Sequence, residues 1–171
     1  MEIISGCAFL KGSIVSNAVA AFDLDGTLVK AKQGKSASSG NWEWVSPRIP
    51  ELWEKLSKKW TMVIFSNQKK YPGNWHPESK VMKLLSEMKL AGNPFVYLAT
   101  GGKPYRKPEN GMWKLFLEHS EIIPEEKSFF CGDAVGDDAD REEYRWSDAD
   151  IGFSINCDLN FYTPNLMWGF P

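Results

Sequence analysis

Short apolar runs and amphipathic stretches take turns along this 171-residue chain. Ala18 to Phe22, AVAAF, is a continuous apolar run that stops at Asp23, which predicts a buried strand. TMVIFSNQ (61–68), FVYLAT (95–100) and SFFCGDA (128–134) repeat that form, each ending in polar residues. Between them, apolar positions recur at helical spacing. They are Ile49, Leu52, Trp53, Leu56 and Trp60 beside Pro47 and Pro50; Val81, Leu84, Leu85 and Met88 before Gly92; and Trp113, Phe116 and Leu117. IGFSIN (151–156) alternates and predicts a fifth short strand. The Gly-, Ser- and Lys-rich stretch 26–44 predicts a loop or hairpin, and 69–79 a loop. There is no internal repeat and no low-complexity tract.

Strands alternating with helices predict an α/β fold: a Rossmann-like parallel sheet with helices on both faces, in a single domain over residues 1–171. Such sheets bind ligands beyond the carboxyl ends of their strands. Asp23, Ser66, Thr100 and Asp133 each fall near such an end. Packing alone does not explain why buried runs should stop at groups of this kind.

The net charge of −2 excludes a broad nucleic-acid-coating surface and leaves room for a local basic groove. Cys7, Cys131 and Cys157 are odd in number and widely spaced, with no zinc pattern or disulfide framework. A reducing compartment is therefore expected, hence an intracellular location in cytoplasm or nucleus. The first residues lack a secretory pattern, and no apolar run approaches the length of a membrane span, so no membrane partner is expected.

Two phosphate-handling signals lie within residues 21–36. Gly34-Lys35-Ser36 ends like a nucleotide-binding P-loop, but Val29 stands where the first glycine of that motif belongs, and no helix pattern follows. A solvent-exposed turn is the better reading. Asp23-Leu24-Asp25-Gly26-Thr27 fits phosphoryl transfer. Breaking a phosphate monoester needs a nucleophile, an acid for the leaving oxygen, and positive charge around the phosphoryl group. Asp23 at the strand end suits the nucleophile. Asp25 suits the acid that protonates the leaving oxygen and later activates water. Two carboxylates would repel the substrate dianion unless a divalent cation intervened, and Mg²⁺ suits oxygen ligands and phosphates. Gly26 permits a sharp turn, and Thr27 offers a hydroxyl and a backbone N–H. The bland reading of the same residues is an Asx turn after a strand.

DLDGT (23–27), SN (66–67), KP (107–108) and GDA (132–134) together resemble the haloacid dehalogenase superfamily of phosphohydrolases. That resemblance implies a covalent aspartyl-phosphate on Asp23, with Asp25 as general acid/base and Mg²⁺ as cofactor. It further implies phosphate binding by Ser66, the Asn67 backbone and Lys107 beside Thr27, and metal ligation by Asp23, Asp25 and Asp133. FDLDGTL, VIFSNQ, ATGGKPYRKPENGMW and CGDAVGD, with the tail DIGFSIN (Asp150, Phe153, Asn156) and TPNLMW, are similar to the 3′-phosphatase domain of polynucleotide kinase-phosphatases. The similarity runs from Val19 to Trp168 and assigns Gly34-Lys35 to a phosphatase loop. Where that family carries Arg after GDA, this chain has Asp137; the superfamily's acidic pattern makes Asp137 a further metal-site acid, with Asp138 as competitor.

Neither 28–46 nor 69–94 is long enough for a large cap domain, so an open site is expected, one that admits a polynucleotide end. Lys35, Lys103 and Arg106, with Lys69 and Lys70, are candidates for backbone phosphates. Trp42, Trp44, Tyr71, Trp75 and Tyr105 are candidates for stacking on unpaired bases. His76 and His119 have no catalytic spacing. The expected activity is Mg²⁺-dependent removal of 3′-phosphate from DNA ends in repair, with DNA and other repair proteins as partners. The alternatives are a sugar- or histidinol-type phosphatase of the same superfamily and a non-catalytic DNA-end-binding module.

Overall fold

The computed structural model describes residues 1–68, 76–136 and 147–169. AVAAF forms β3 (Val19–Phe22), buried at every position. It lies inside a seven-stranded sheet ordered β1-β2-β7-β6-β3-β8-β9, where β1 is Glu2–Ile4, β2 Cys7–Leu10, β6 Thr61–Asn67, β7 Phe95–Ala99, β8 Phe129–Cys131 and β9 Asn160–Tyr162. From β7 to β9 the neighbours run parallel. The side chains of β3 and β6 alternate between two cores. Phe22, Met62 and Ile64 meet α1 (Ile49–Ser57), α2 (Pro77–Met88) and α5 (Pro164–Trp168) on one face. Val19, Val63 and Phe65 meet α3 (Gly111–Ser120) and α4 (Ala149–Asn156) on the other. Helices on both faces explain why these strands read as unbroken apolar runs.

Two sequence expectations change. The sheet is not wholly parallel, because β1 and β2 form an antiparallel hairpin that pairs antiparallel with β7. Strands of three and four residues carry little periodic signal. Residues 151–156 are helical, within α4, and not a strand. Asp150, Phe153 and Ser154 are buried while Ile155 is 71 % exposed, so the buried face follows helical spacing and the apparent alternation is coincidental.

The strand that carries Asp23 is held firmly. Phe22 packs on Trp53 at 5.1 Å and on Trp168 at 5.4 Å between ring centroids. Each such indole removes about 150–250 Å² from water, roughly 4–6 kcal/mol of burial. Trp168 also donates its indole N–H to the Thr27 carbonyl at 3.0 Å, tying α5 to the loop after β3. β3 is the switch point of the sheet, with β6 on one side and β8 on the other. Between β3 and α1 lies a two-stranded hairpin, β4 (Val29–Lys30) and β5 (Glu43–Trp44). Among the described residues no cap domain covers the strand ends.

Candidate active site

Asp23 follows β3 directly, and its N–H donates to the Cys131 carbonyl at 2.9 Å, which joins the tips of β3 and β8. The chain then folds tightly: the N–H groups of Leu28 and Val29 both point to the Leu24 carbonyl, and Gly26 N–H donates to Val29. Gly26 takes a φ of +83°, the conformation this turn needs. The turn carries Thr27 back over Asp23. Its hydroxyl lies 3.2 Å from Asp23 Oδ2 and 3.3 Å from Asp133 Oδ1, and its single proton satisfies one of them at a time.

Lys107 enters from the opposite side with its side chain 2 % exposed. Its ammonium donates to Asp23 Oδ1 at 2.9 Å, Asp150 Oδ1 at 2.7 Å and the Phe65 carbonyl at 2.9 Å, so all of its hydrogens are engaged. Burial by itself would lower its pKa; Asp150 and Asp23 outweigh that and hold it charged. A phosphoryl oxygen that bonds Lys107 must therefore displace one of these partners. Asn67 anchors the same segment through a reciprocal pair: Nδ2 donates to the Lys107 carbonyl at 3.0 Å, and Lys107 N–H donates to Oδ1 at 2.9 Å. The Asn67 amide is thus spent on Lys107. Ser66 is buried, and its Oγ accepts from Gln68 Nε2 at 2.8 Å.

Asp23, Asp133 and Asp150 each place a carboxylate oxygen within 4.8 Å of the others. Lys107 pairs with Asp23 and Asp150, which leaves Asp133 uncompensated. Asp133 Oδ2 is buried without a hydrogen-bond partner. Burial, then Asp23, then Asp150 push the Asp133 carboxyl up to about 9. Asp150 rises to about 6: burial raises it, Lys107 opposes, and the Ala134 N–H reaches Oδ2 at 2.9 Å. An orphaned acceptor among crowded carboxylates fits a hard divalent cation, which takes oxygen ligands and supplies the missing positive charge.

Asp25 does not join this acidic trio. Its half-buried carboxyl accepts from Gln68 Nε2 at 3.2 Å. Burial raises its pKa, and the Gln68 bond partly opposes this. Asp137 and Asp138 lie outside the described residues, as do Lys69, Lys70, Tyr71 and Trp75. Of the basic candidates, Arg106 reaches the site rim and donates to the Gln68 carbonyl at 3.0 Å. Lys103 is exposed and pairs with Glu109 at 3.3 Å. Lys35 stands exposed on the loop between β4 and β5, and no helix follows Gly34-Lys35-Ser36. Trp42 and Trp44 pack edge-on to each other at 5.0 Å and against the core, and Trp42 donates to Glu87; Tyr105 packs on the second core. His119 bonds the Tyr97 hydroxyl, away from the carboxylates.

The roles of Asp150 against Lys107 and of Gln68 against Asp25 were not read from the sequence. Asp150 would have emerged from a helical reading of 149–156, which puts it on the face of Phe153. Gln68 directly follows Ser66-Asn67, within the stretch already singled out.

The family model described as polynucleotide kinase 3 phosphatase matches residues 18–168. A polynucleotide 3′-phosphatase, ZDP, of Arabidopsis thaliana is 35% identical over 170 residues, covering 87% of this chain and 24% of that protein. A bifunctional polynucleotide phosphatase/kinase of Schizosaccharomyces pombe is 33% identical over 153 residues, 84% of this chain and 36% of its own. The chain therefore spans about a quarter to a third of these two relatives. An uncharacterized 20.8 kDa protein of Autographa californica nuclear polyhedrosis virus is 32% identical over 150 residues, 85% of this chain and 82% of that protein. A crystal structure of a putative haloacid dehalogenase-like phosphatase from Mesorhizobium loti superposes with a TM-score of 0.57 at 18% identity, over 90% of this chain and 77% of that one; it shares the fold. With the model matched from the strand bearing Asp23 to the helix bearing Trp168, this chain belongs to the polynucleotide kinase 3 phosphatase family.

Proposed function

We propose that this protein is a Mg²⁺-dependent polynucleotide 3′-phosphatase that converts 3′-phosphate DNA ends to 3′-hydroxyls during repair, inside the cell. The observation that carries the reading is the contact of Asp23 with Lys107 and Thr27 beside the uncompensated Asp133. Asp23 and Asp133 would hold the cation, with Asp137 as a further oxygen donor and Asp150 close by, while Asp25, expected among the ligands, stands outside the carboxylate trio and serves as the acid. Bound there, Mg²⁺ would neutralise charge on the carboxylates and on the phosphoryl group.

Lys107 holds one oxygen of Asp23 and Thr27 reaches the other, which fixes the carboxylate that attacks phosphorus. As the Asp23–phosphorus bond forms, the bond from phosphorus to the 3′ oxygen breaks, and Asp25 passes its proton to that oxygen. Burial favours the protonated form of Asp25 that this step needs. The carboxylate left on Asp25 then takes a proton from water, which cleaves the aspartyl-phosphate and frees orthophosphate. Ser66 and the Asn67 backbone face the phosphoryl oxygens. Lys35, Lys103 and Arg106 follow the polynucleotide backbone away from the reacting end. The absence of a cap domain among the described residues supports a macromolecular end as substrate.

The test is phosphate release from matched oligonucleotides carrying a 3′- or a 5′-phosphate, and from a sugar phosphate, with Mg²⁺ or EDTA. The 3′ ester should react fastest and only with Mg²⁺, and Asp23→Asn should abolish turnover. Equal rates on all three substrates, or an active Asp23→Asn, would reject the reading.

A further inference from the structure

Gln68 is 7 % exposed, and its side-chain amide lies between two groups the reaction needs. Nε2 donates to Asp25 Oδ2 at 3.2 Å and to Ser66 Oγ at 2.8 Å. An amide nitrogen has two hydrogens, so both are used. The geometry has consequences for both partners. An Asp25 oxygen that accepts from N–H is not the oxygen bearing a proton, so the proton that Asp25 donates leaves from Oδ1. A Ser66 oxygen that accepts from the amide keeps its own O–H free to donate. The amide therefore sets the polarity of both groups: Asp25 towards a departing oxygen and Ser66 towards a phosphoryl oxygen.

The backbone that carries this side chain is itself held at both of its polar groups. The Gln68 backbone carbonyl accepts from Arg106 Nη1 at 3.0 Å, and the Gln68 backbone N–H donates to the Ala99 carbonyl at 2.9 Å. Next to it, the Asn67 amide and the Lys107 backbone form their reciprocal pair. Residues 66–68 and 106–107 thus make one clamp, from which Gln68 reaches across to the loop after β3. Rigid support of this kind keeps a proton donor within the narrow geometry that transfer demands.

We propose that Gln68 is a positioning residue that presents Asp25 and Ser66 to the substrate as one oriented unit. This rests on the reading of Asp25 as the acid for the leaving oxygen. In the step it serves, the Asp23–phosphorus bond forms, the phosphorus–oxygen bond breaks, and the proton on Asp25 Oδ1 moves to the 3′ oxygen. Replacing that oxygen by sulfur removes the need for the proton, because a thiolate leaves unaided.

The experiment measures kcat/KM with Mg²⁺ on two oligonucleotides of one sequence, one with a 3′-phosphate and one with sulfur bridging carbon and phosphorus at the 3′ position. The enzymes are the parent, Gln68→Met, Gln68→Glu and Asp25→Asn. The oxygen-to-sulfur ratio on one preparation is independent of the folded fraction, so a poorly folding variant still reports. Both Gln68 variants should lose rate on both esters through Ser66, and their oxygen-to-sulfur ratio should fall about tenfold through Asp25, a part of the 10²–10⁴-fold worth of a general acid. If Asp25→Asn lowers the ratio and the Gln68 variants stay within about threefold of the parent, the role of Gln68 is overturned while the reading of Asp25 stands. If Asp25→Asn leaves the ratio unchanged, the assignment of Asp25 fails and takes the proposal with it. A parent inactive on both esters would reject the proposed function.

Discussion

Gly26 lies so close to Asp133 that a Cβ on Gly26 would stand 2.2 Å from Asp133 Oδ2. Two constraints meet at this glycine, its φ of +83° and the carboxylate it has to admit. The turn after β3 can bring Thr27 over Asp23 and still leave Asp133 in place because no side chain intervenes.

Gly26→Ala is therefore expected to displace Asp133 more than it harms the fold. The left-handed backbone should cost about 1–2 kcal/mol of stability. Phosphate release should fall about 10²-fold, the scale set by a misplaced reacting group. Urea unfolding and a phosphate-release assay measure the two effects. Full activity would mean that Asp133 is not needed where it stands.

Burial and the neighbouring Asp23 and Asp150 make ionised Asp133 costly, and no ion pair among the described residues offsets this. Mg²⁺ should raise the Tm of the parent, with stabilisation approaching about 2.7 kcal/mol at a hundred times Kd. Asp133→Asn removes a repelling carboxylate and should raise the metal-free Tm while abolishing most of the Mg²⁺ response. Thermal unfolding with EDTA and with Mg²⁺ checks both. An undiminished Mg²⁺ shift in the variant would put the cation elsewhere.

The Lys107–Asp150 contact of 2.7 Å is a buried ion pair with additional bonds to Asp23 and Phe65. Removing one partner leaves a buried charge. Lys107→Met or Asp150→Leu alone should destabilise the protein by about 3–5 kcal/mol. The double variant should be more stable than the sum of the two losses predicts, by at least about 1 kcal/mol. Denaturant unfolding of the cycle decides this, and simple additivity would show that the pair is not coupled.

His119 packs on Phe9 at 4.6 Å and bonds the Tyr97 hydroxyl at 2.8 Å. Burial, then Lys11, lower its pKa, against Glu118 and Glu2. The unfolded chain thus takes up the proton first as pH falls. The His119 contribution is complete above the unfolded value of about 6.5 and is lost as pH drops through and below it. The fall in Tm between pH 7.5 and pH 5.5 should be shallower in His119→Gln, whose side chain can still bond Tyr97. Identical slopes would remove His119 as the cause.

Asp23, Ser66 and Asp133 could be found from the amino-acid order because their signals are local, whereas Lys107, well past the end of its strand, came only with the family resemblance. A buried parallel strand must be apolar and must stop where it reaches the ligand edge, so the first polar residue after each run marks the site. The same holds for the helices packed on the sheet, whose apolar residues recur on one face. Local signals fail where the evidence is short or distant. Six residues at 151–156 fit either period, and burial against β8 and β9 selected the helix. The hairpin of β1 and β2 joins the sheet through the pairing of β2 with β7, a partner far along the chain.

The site shows the same division. Which residue types gather at the strand ends follows from the chain order, but which atoms they bond does not. Lys107 and Asp150 are 43 positions apart, as are Gln68 and Asp25, and nothing near either residue names its partner. The meeting of those side chains depends on how the sheet order brings β3, β6 and β8 side by side. Only then do burial and neighbouring charge set Lys107 as a held cation, Asp133 as a carboxylate short of a counter-charge, and Asp25 as a group leaning on Gln68. Chemical identity is carried residue by residue, whereas electrostatic environment is a property of distances between residues that the chain keeps apart.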